Sequence, residues 1–363
     1  MHGGQRPGHA LGEIDNPGAF ERLRHARKYR SGAVCWLAPV ASPAGRVANV
    51  PHDPLIYEGT AEFYRPGRPP YSYELVETLR RECGLDGTGP LLDIGCGPGF
   101  LTLEIAHLFG EAIGLDADAA MLAEAARFAE EMGIANANWI EGLGEDAATL
   151  APGPFRMISF SNSFHWFDRE ALAEIVYELL APGGWLVLVS HAHAGRPIPP
   201  NPGAPPIPHD AIRALIASYL GARRRAGSGF IEVNDGVLRI GSGAEGNTAL
   251  SFETPDPQTE RHEDVLARTR FGRPRIVYAA GRPDIIQDAD GVLANYHSTS
   301  FAAPHLFGER LEAFRNDLAR LLADASPSGL FWDWPGDTEV VLARRPGPAQ
   351  RETGFPSGTH GNC

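Results

Sequence analysis

Lysine is nearly absent from this chain. Lys28 is the single lysine among 32 basic residues, and 45 acidic residues leave a formal net charge of -13. A broad phosphate-binding surface needs Lys and Arg to displace counterions, so this balance opposes nucleic acid as a partner. Cysteine is scarce as well. Cys35, Cys83, Cys96 and Cys363 stand far apart without any C-x-x-C pair, which argues against a structural zinc site or a disulfide framework and fits a reducing cytoplasm. No apolar run approaches the ~18 residues of a membrane span, so no membrane partner is expected. RLRHARKYR (22–30) followed by AVCWLAPVA (33–41) imitates a signal peptide only faintly, because it starts late and Pro39 interrupts a short apolar core. What is present is ordinary: 363 residues, 43% hydrophobic and 21% charged, have the composition of a soluble globular enzyme with one large core or two moderate ones.

Residues 1–50 keep no sustained period and are rich in Gly, Pro and Arg, which predicts a loosely docked extension. Order begins near Tyr71, where YSYELVETLRREC sets Leu75, Leu79 and Cys83 four apart on one helical face. The strand PLLDIG, the helix LTLEIAHLF, the strand EAIGLD and the helix AAMLAEAARFAEEMG follow. The alternation continues through NANWIEG and FRMISFSNS as strands, REALAEIVYELL as a helix and WLVLVS as a strand. Strands alternating with helices require crossover connections, so the fold class is α/β with a doubly wound, mostly parallel sheet. The core is expected over 51–194. An inserted cap is expected over 195–262, with a Pro-rich run (RPIPPNPGAPPIP), a helix (AIRALIASYLGARR) and a Gly-rich stretch (GSGAEGN). Residues 263–345 are expected to complete the sheet through the strands RIVYAAG (275–281) and TEVVLARR (338–345), and 346–363 read as a frayed tail.

The informative stretch is LLDIGCGPGF (91–100), a strand running into Gly95, Gly97 and Gly99. Glycines between a strand and a helix let a ligand approach the main chain where a Cβ would clash, and they aim the helix N-terminus at it. The dinucleotide fingerprint G-x-G-x-x-G fails, because Phe100 occupies the third position, and no G-x-x-x-x-G-K-[ST] exists. Asp116 ends the second strand 21 residues after Gly95, where an acid accepts hydrogen bonds from two ribose hydroxyls. A ribose-containing ligand that needs no phosphate follows.

LLDIGCGPG with GLDAD at this distance resembles the S-adenosylmethionine-dependent class I methyltransferases, whose first motif carries a D-x-G-x-G-x-G run. LAPGGWLVLV (180–189) is similar to that family's helix, turn and fifth strand. EFYRPGRPPY (62–71) and SNSFHWFD (161–168) resemble a small-molecule subgroup with an H-W-F-D signature after the fourth strand. The resemblance implies S-adenosyl-L-methionine as cofactor. It implies that Asp93, Gly95, Gly97 and Gly99 form the loop at its methionine end, and that Asp116, with Ala117 and Met121 beside it, holds the ribose. Gly144 and Glu145 of EGLGEDA (141–147) cover the adenine, although Leu143 stands where many members have an acid. Tyr64 and Ser161 complete the set; Tyr64 and Arg65 either contact the methionine carboxylate or anchor their segment. Cys96 reads as a small buried filler.

A sulfonium methyl is already activated, so catalysis needs alignment and, for a hydroxyl, one base. His165 lies just past a strand's C-terminal end, where ligands of open α/β sheets sit, and its ordinary pKa suits proton removal near neutrality. It serves as well as a histidine bonded to a neighbouring loop. His191 and His193 share one face of an extended chain but lack a third ligand at diagnostic spacing, so no metal is expected. SNSFHW replaces the [DNS]-P-P-[YFW] run of base-nitrogen methyltransferases, which together with the charge favours a small-molecule acceptor and O-methylation. The same motifs suit two other proteins: an enzyme of secondary metabolism that binds the cofactor yet catalyses a rearrangement or cyclisation, and a cofactor-sensing binding protein. A homodimer stays open.

Overall fold

The computed structural model describes residues 56–192, 203–226, 229–234, 237–242 and 260–347. The N-terminal extension, His193, most of the Pro-rich and Gly-rich runs of the insertion, and the tail after 347 lie outside the described residues.

Seven strands build the main sheet: β1 (Pro90–Ile94), β2 (Glu111–Asp116), β3 (Ala137–Glu141), β4 (Phe155–Ser161), β5 (Leu180–Ala192), β6 (Arg275–Ala279) and β7 (Asp337–Arg344). Their spatial order is β3-β2-β1-β4-β5-β7-β6. The first five pair in parallel, and β7 runs antiparallel to both β5 and β6. Consecutive residues of the central strands turn to opposite faces, and both faces are apolar. Leu92, Ile158 and Leu188 join one buried cluster with the helix Arg169–Leu179. Leu91, Met157 and Val187 join another with the helix Tyr73–Cys83. This is the double cover a parallel sheet needs, and it agrees with the α/β, mostly parallel architecture expected from the sequence. Leu75, Leu79 and Cys83 are buried on one face of Tyr73–Cys83 as their spacing requires. Ser72 caps that helix by accepting from the Leu75 N–H at 3.2 Å.

Strand order reverses between β1 and β4. In open α/β sheets the crevice outside the strands' C-terminal ends at such a point receives ligands.

The remaining elements divide differently from the expected boundaries. Of residues 263–345, only β6 and β7 enter the sheet. The stretch between them folds with the insertion: the helices His209–Leu220, Ala289–His297 and Leu311–Ala325 share a third core around Ile212, Ile216, Phe307, Phe314 and Phe331. A ribbon of Ile285–Asp288 against Leu330–Asp333 flanks it. This third core is thus assembled from two separate stretches of sequence. The helix read over AIRALIASYLGARR stops at Leu220, where Gly221 takes a φ of +88°. Residues Arg223–Ala226 instead open a three-stranded antiparallel meander with Gly229–Asn234 and Val237–Ser242. An arginine run at a helix end carries no periodic signal, and the glycine decides the outcome.

Candidate cofactor and acceptor site

At the β1/β4 reversal a cavity of about 600 Å³ opens, within the usual size of a small-molecule site. Its floor is the loop from Gly95 to Gly99. All three glycines hold positive φ, at +65°, +53° and +77°, but they do different things. A Cβ on Gly95 would lie 2.6 Å from the Ser163 Cβ, and one on Gly99 would lie 2.5 Å from the Trp139 ring. Those two glycines let protein pack on protein. A Cβ on Gly97 would meet nothing within 4 Å, and Gly97 lines the cavity. It is the position where a ligand meets bare backbone.

Asp116 ends β2 opposite this loop. Its Oδ2 accepts from the Gly97 N–H at 2.7 Å and its Oδ1 from the Asp118 N–H at 2.9 Å. These bonds orient the Asp116 carboxylate, which lines the cavity. Asp118 in turn caps the helix Ala119–Glu131, accepting from the Ala120 N–H at 2.8 Å. Beside them, Ala117, Met121, Gly144, Glu145, Ser161, Tyr64, Gly95 and His165 also line the cavity. Leu143 is 43% exposed at its wall, an apolar surface where the family pattern led us to look for an acid; Glu141, two residues earlier, supplies an acid in the wall.

Two expected cofactor residues stand elsewhere. Asp93 is fully buried under the loop, accepting from the Thr102 hydroxyl at 2.6 Å and the Ser159 hydroxyl at 2.7 Å. It ties β1 to β4 and to the helix Phe100–Ile105, and burial pushes its carboxyl up to about 6 against those two hydrogen bonds. Gly99 faces Trp139 rather than the cavity. Spacing within a motif locates both residues in sequence without saying which side of the strand they occupy.

Arg65 also points away from the cavity, to an ion pair with Glu131 and over the Phe128 ring at 4.7 Å. Arg68 is in the wall instead. Its guanidinium sits 5.5 Å from the Tyr64 ring centroid, and its Nη2 donates to the Ser298 carbonyl at 3.2 Å. Its Nε is buried with no hydrogen-bond partner among the described residues, a donor suited to an anionic group. Tyr57, Tyr71, Asn162 and Trp166 line the cavity as well. Tyr64, Arg68 and Tyr71 repeat at four- and three-residue spacing in EFYRPGRPPY, the one signal by which sequence reasoning had access to them.

His165 occupies a short 3₁₀ turn, Phe164–Trp166, directly after β4. Its ring is exposed at the cavity, and desolvation by the surrounding protein together with the Arg169 charge lowers its pKa below the ordinary imidazole value. The shift runs downward from the ordinary value expected from the sequence, which leaves the ring neutral at pH 7 and a weaker base. Behind it, His262 Nδ1 accepts from the Arg169 guanidinium at 3.2 Å, and its pKa is likewise lowered, to about 4, chiefly by burial. His191 pairs with Thr338 between β5 and β7. No group of three or more His, Cys, Asp or Glu side chains among the described residues is placed to hold a metal ion.

Residues 91–184 match the family described as "Methyltransferase domain". The match makes this stretch similar to a methyltransferase domain. It spans β1 to the start of β5 and so contains the glycine loop, Asp116 and His165. The chain is similar to the probable S-adenosylmethionine-dependent methyltransferase CRG1 of Saccharomyces cerevisiae, 32% identical over 123 residues, which are 33% of this chain and 42% of that protein. It is also similar to the trans-aconitate 2-methyltransferase of Methylobacterium radiotolerans, 34% identical over 131 residues, 35% and 44% of the two chains. The chain thus spans less than half the length of these curated relatives. Among solved structures, an S-adenosylmethionine-dependent methyltransferase from Geobacter sulfurreducens in complex with S-adenosyl-L-homocysteine superposes with a TM-score of 0.41 at 17% identity, covering 79% of this chain and 96% of that one.

A methyltransferase domain of this kind implies S-adenosyl-L-methionine, and the residues present fit it. Gly97 leaves space at the loop that any Cβ would fill, Asp116 offers acceptor oxygens for ribose hydroxyls, and Arg68 holds a buried unpartnered N–H for a carboxylate.

Proposed function

We propose that this chain is an S-adenosylmethionine-dependent methyltransferase that acts on a small molecule, with oxygen as the acceptor atom. The observation that carries the reading is the pairing of Asp116 with the Gly97 amide at the floor of the cavity. Gly97 and Asp116 hold the nucleoside, Leu143 and Gly144 cover the base, and Arg68 takes the methionine carboxylate. When bound, the cofactor supplies a methyl group already activated on sulfur. The chain's task is alignment, exclusion of water by Tyr57, Tyr64 and Trp166, and acceptance of the acceptor's proton by the neutral ring of His165. A net charge of -13 favours a small acceptor over nucleic acid. No helix among the described residues is long and apolar enough to cross a membrane, and free, buried Cys83 and Cys96 suit a reducing compartment, for which we assign the cytoplasm.

The cap serves as a lid for the acceptor. Its helix Ala289–His297 packs on Ala61–Gly67, and the Gln287 side-chain amide donates to the Gly67 carbonyl at 3.0 Å. A Cβ on Gly67 would collide with the backbone of Ala294 and Asn295, so the segment that presents Tyr64 and Arg68 is packed tightly against the cap.

Calorimetry with S-adenosylmethionine tests the reading. Asp116→Ala should weaken binding by about 1–3 kcal/mol, because ribose hydroxyls lose their acceptor; unchanged affinity would remove Asp116 from the site and the reading with it. His165→Ala should lower kcat by about a hundredfold, the low end of general-base help, since a base of depressed pKa takes a proton less readily. Any inflection that His165 gives the wild-type rate should fall below pH 6.5, the direction in which its pKa is shifted. A variant that keeps the wild-type rate from pH 6 to 9 would leave alignment alone to carry the reaction.

A further inference from the structure

Three neutral polar groups meet at the C-terminal end of β4. The Ser161 Oγ and the Tyr71 hydroxyl share a short hydrogen bond. Asn162 follows with a φ of +51°, the one positive φ outside glycine among the described residues. Its backbone N–H donates to the Val189 carbonyl at 2.9 Å, which fixes this conformation. A non-glycine residue in that region is uncommon and persists where surrounding structure enforces it, often at a functional site. The turn places Asn162 in the same wall of the cavity as Tyr71 and Ser161. All three residues line the cavity. Burial raises the Tyr71 phenol to about 12, so it stays protonated and can both donate and accept. On the adjoining wall Tyr57 and Trp166 meet edge to face at 5.7 Å, and the His165 ring lies 5.3 Å from Trp166.

We infer that the acceptor is a phenol-like aromatic hydroxyl compound, with its ring against Tyr57 and Trp166 and its hydroxyl hydrogen-bonded by Tyr71. The inference rests on the S-adenosylmethionine reading of this cavity and narrows it to one substrate class. With Arg68 engaged by the methionine carboxylate, a charged acceptor would face the neutral Tyr71, Ser161 and Asn162 at this end of the cavity, at a desolvation cost that they do not offset. A neutral hydroxyl matches them group for group. In the reaction the acceptor oxygen forms a bond to the methyl carbon as the carbon–sulfur bond breaks with its electron pair on sulfur, and the hydroxyl proton passes to His165. Phenols ionise near ~10, whereas an aliphatic hydroxyl is about as weak an acid as water, near ~16. A histidine of depressed basicity can serve the first far better than the second.

The experiment titrates 4-nitrophenol into the full chain saturated with S-adenosylhomocysteine, reading calorimetric heat and the probe's absorbance, which reports its ionisation. The wild type should bind the probe and shift its spectrum. Tyr71→Phe should bind it at least ~tenfold more weakly and lose the shift, while affinity for S-adenosylhomocysteine stays within about twofold. Asn162→Gly, which keeps the turn and removes the side chain, should weaken probe binding in the same direction and keeps the test decisive if Tyr71→Phe does not fold. Absence of probe binding to the wild-type complex, or equal binding and an equal spectrum in both variants, overturns the inference. Failure of the wild type to bind S-adenosylhomocysteine at all overturns the cofactor reading instead, and the substrate class falls with it.

Discussion

Valine at position 97 is expected to abolish S-adenosylmethionine binding while the protein stays folded. Two effects add. Gly97 holds a φ of +53°, which a β-branched residue adopts only at a cost of about 1–2 kcal/mol or more. Its Cβ, meeting no protein atom within 4 Å, would project branched methyl groups into the space the ligand needs. Strain alone lowers stability modestly; occupied space removes the ligand altogether. Calorimetry should therefore find no binding up to millimolar ligand, with far-UV circular dichroism like the wild type. Gly99→Ala makes the useful comparison, because its Cβ meets Trp139 rather than open space: it should cost stability first and affinity second. Binding that survives Gly97→Val would place the cofactor elsewhere.

The second large effect lies in the cap. Phe314 is fully buried, stacked on Phe307 at a centroid distance of 4.2 Å and edge-on to Tyr219 at 5.5 Å. Phe314→Ala should cost about 3–5 kcal/mol from lost transfer energy and the cavity left behind. Because this core is separate from the two that cover the sheet, the loss should fall on the cap. Hydrogen exchange is expected to rise in 209–220 and 311–325 and to change little in β1 to β5, with acceptor turnover lost and S-adenosylhomocysteine still bound. Exchange rising equally across the sheet would make cap and sheet one cooperative unit and end the lid reading.

The strands were legible because their chemistry is redundant. PLLDI and FRMISFS are apolar on both faces, so any register that buries them gives a sheet covered twice. The glycine loop and Asp116 were legible because a bare backbone followed by an acid at that distance has few other uses. Asp93 and Gly99 were assigned to the ligand because they share the motif, and only the packing of Thr102, Ser159 and Trp139 separates them from it. Arg68 was hidden by Arg65 three residues before it: both are arginines in one short run, and the choice between them depends on which side of Ala61–Gly67 meets the cap. The shift of His165 was hidden for a different reason, since desolvation and the Arg169 charge are properties of assembled surroundings.

The place of β7 has a consequence for how the molecule is made. This strand lies between β5 and β6, pairing Thr338–Leu342 with one neighbour and Asp337–Arg344 with the other. On a ribosome β5 is complete long before residue 337 emerges, and β6 leaves the exit tunnel with nothing beside it to pair with. The domain carrying the glycine loop can close around β1 to β4 while β5 still shows an open, valine- and leucine-rich edge, the kind of edge that recruits foreign strands.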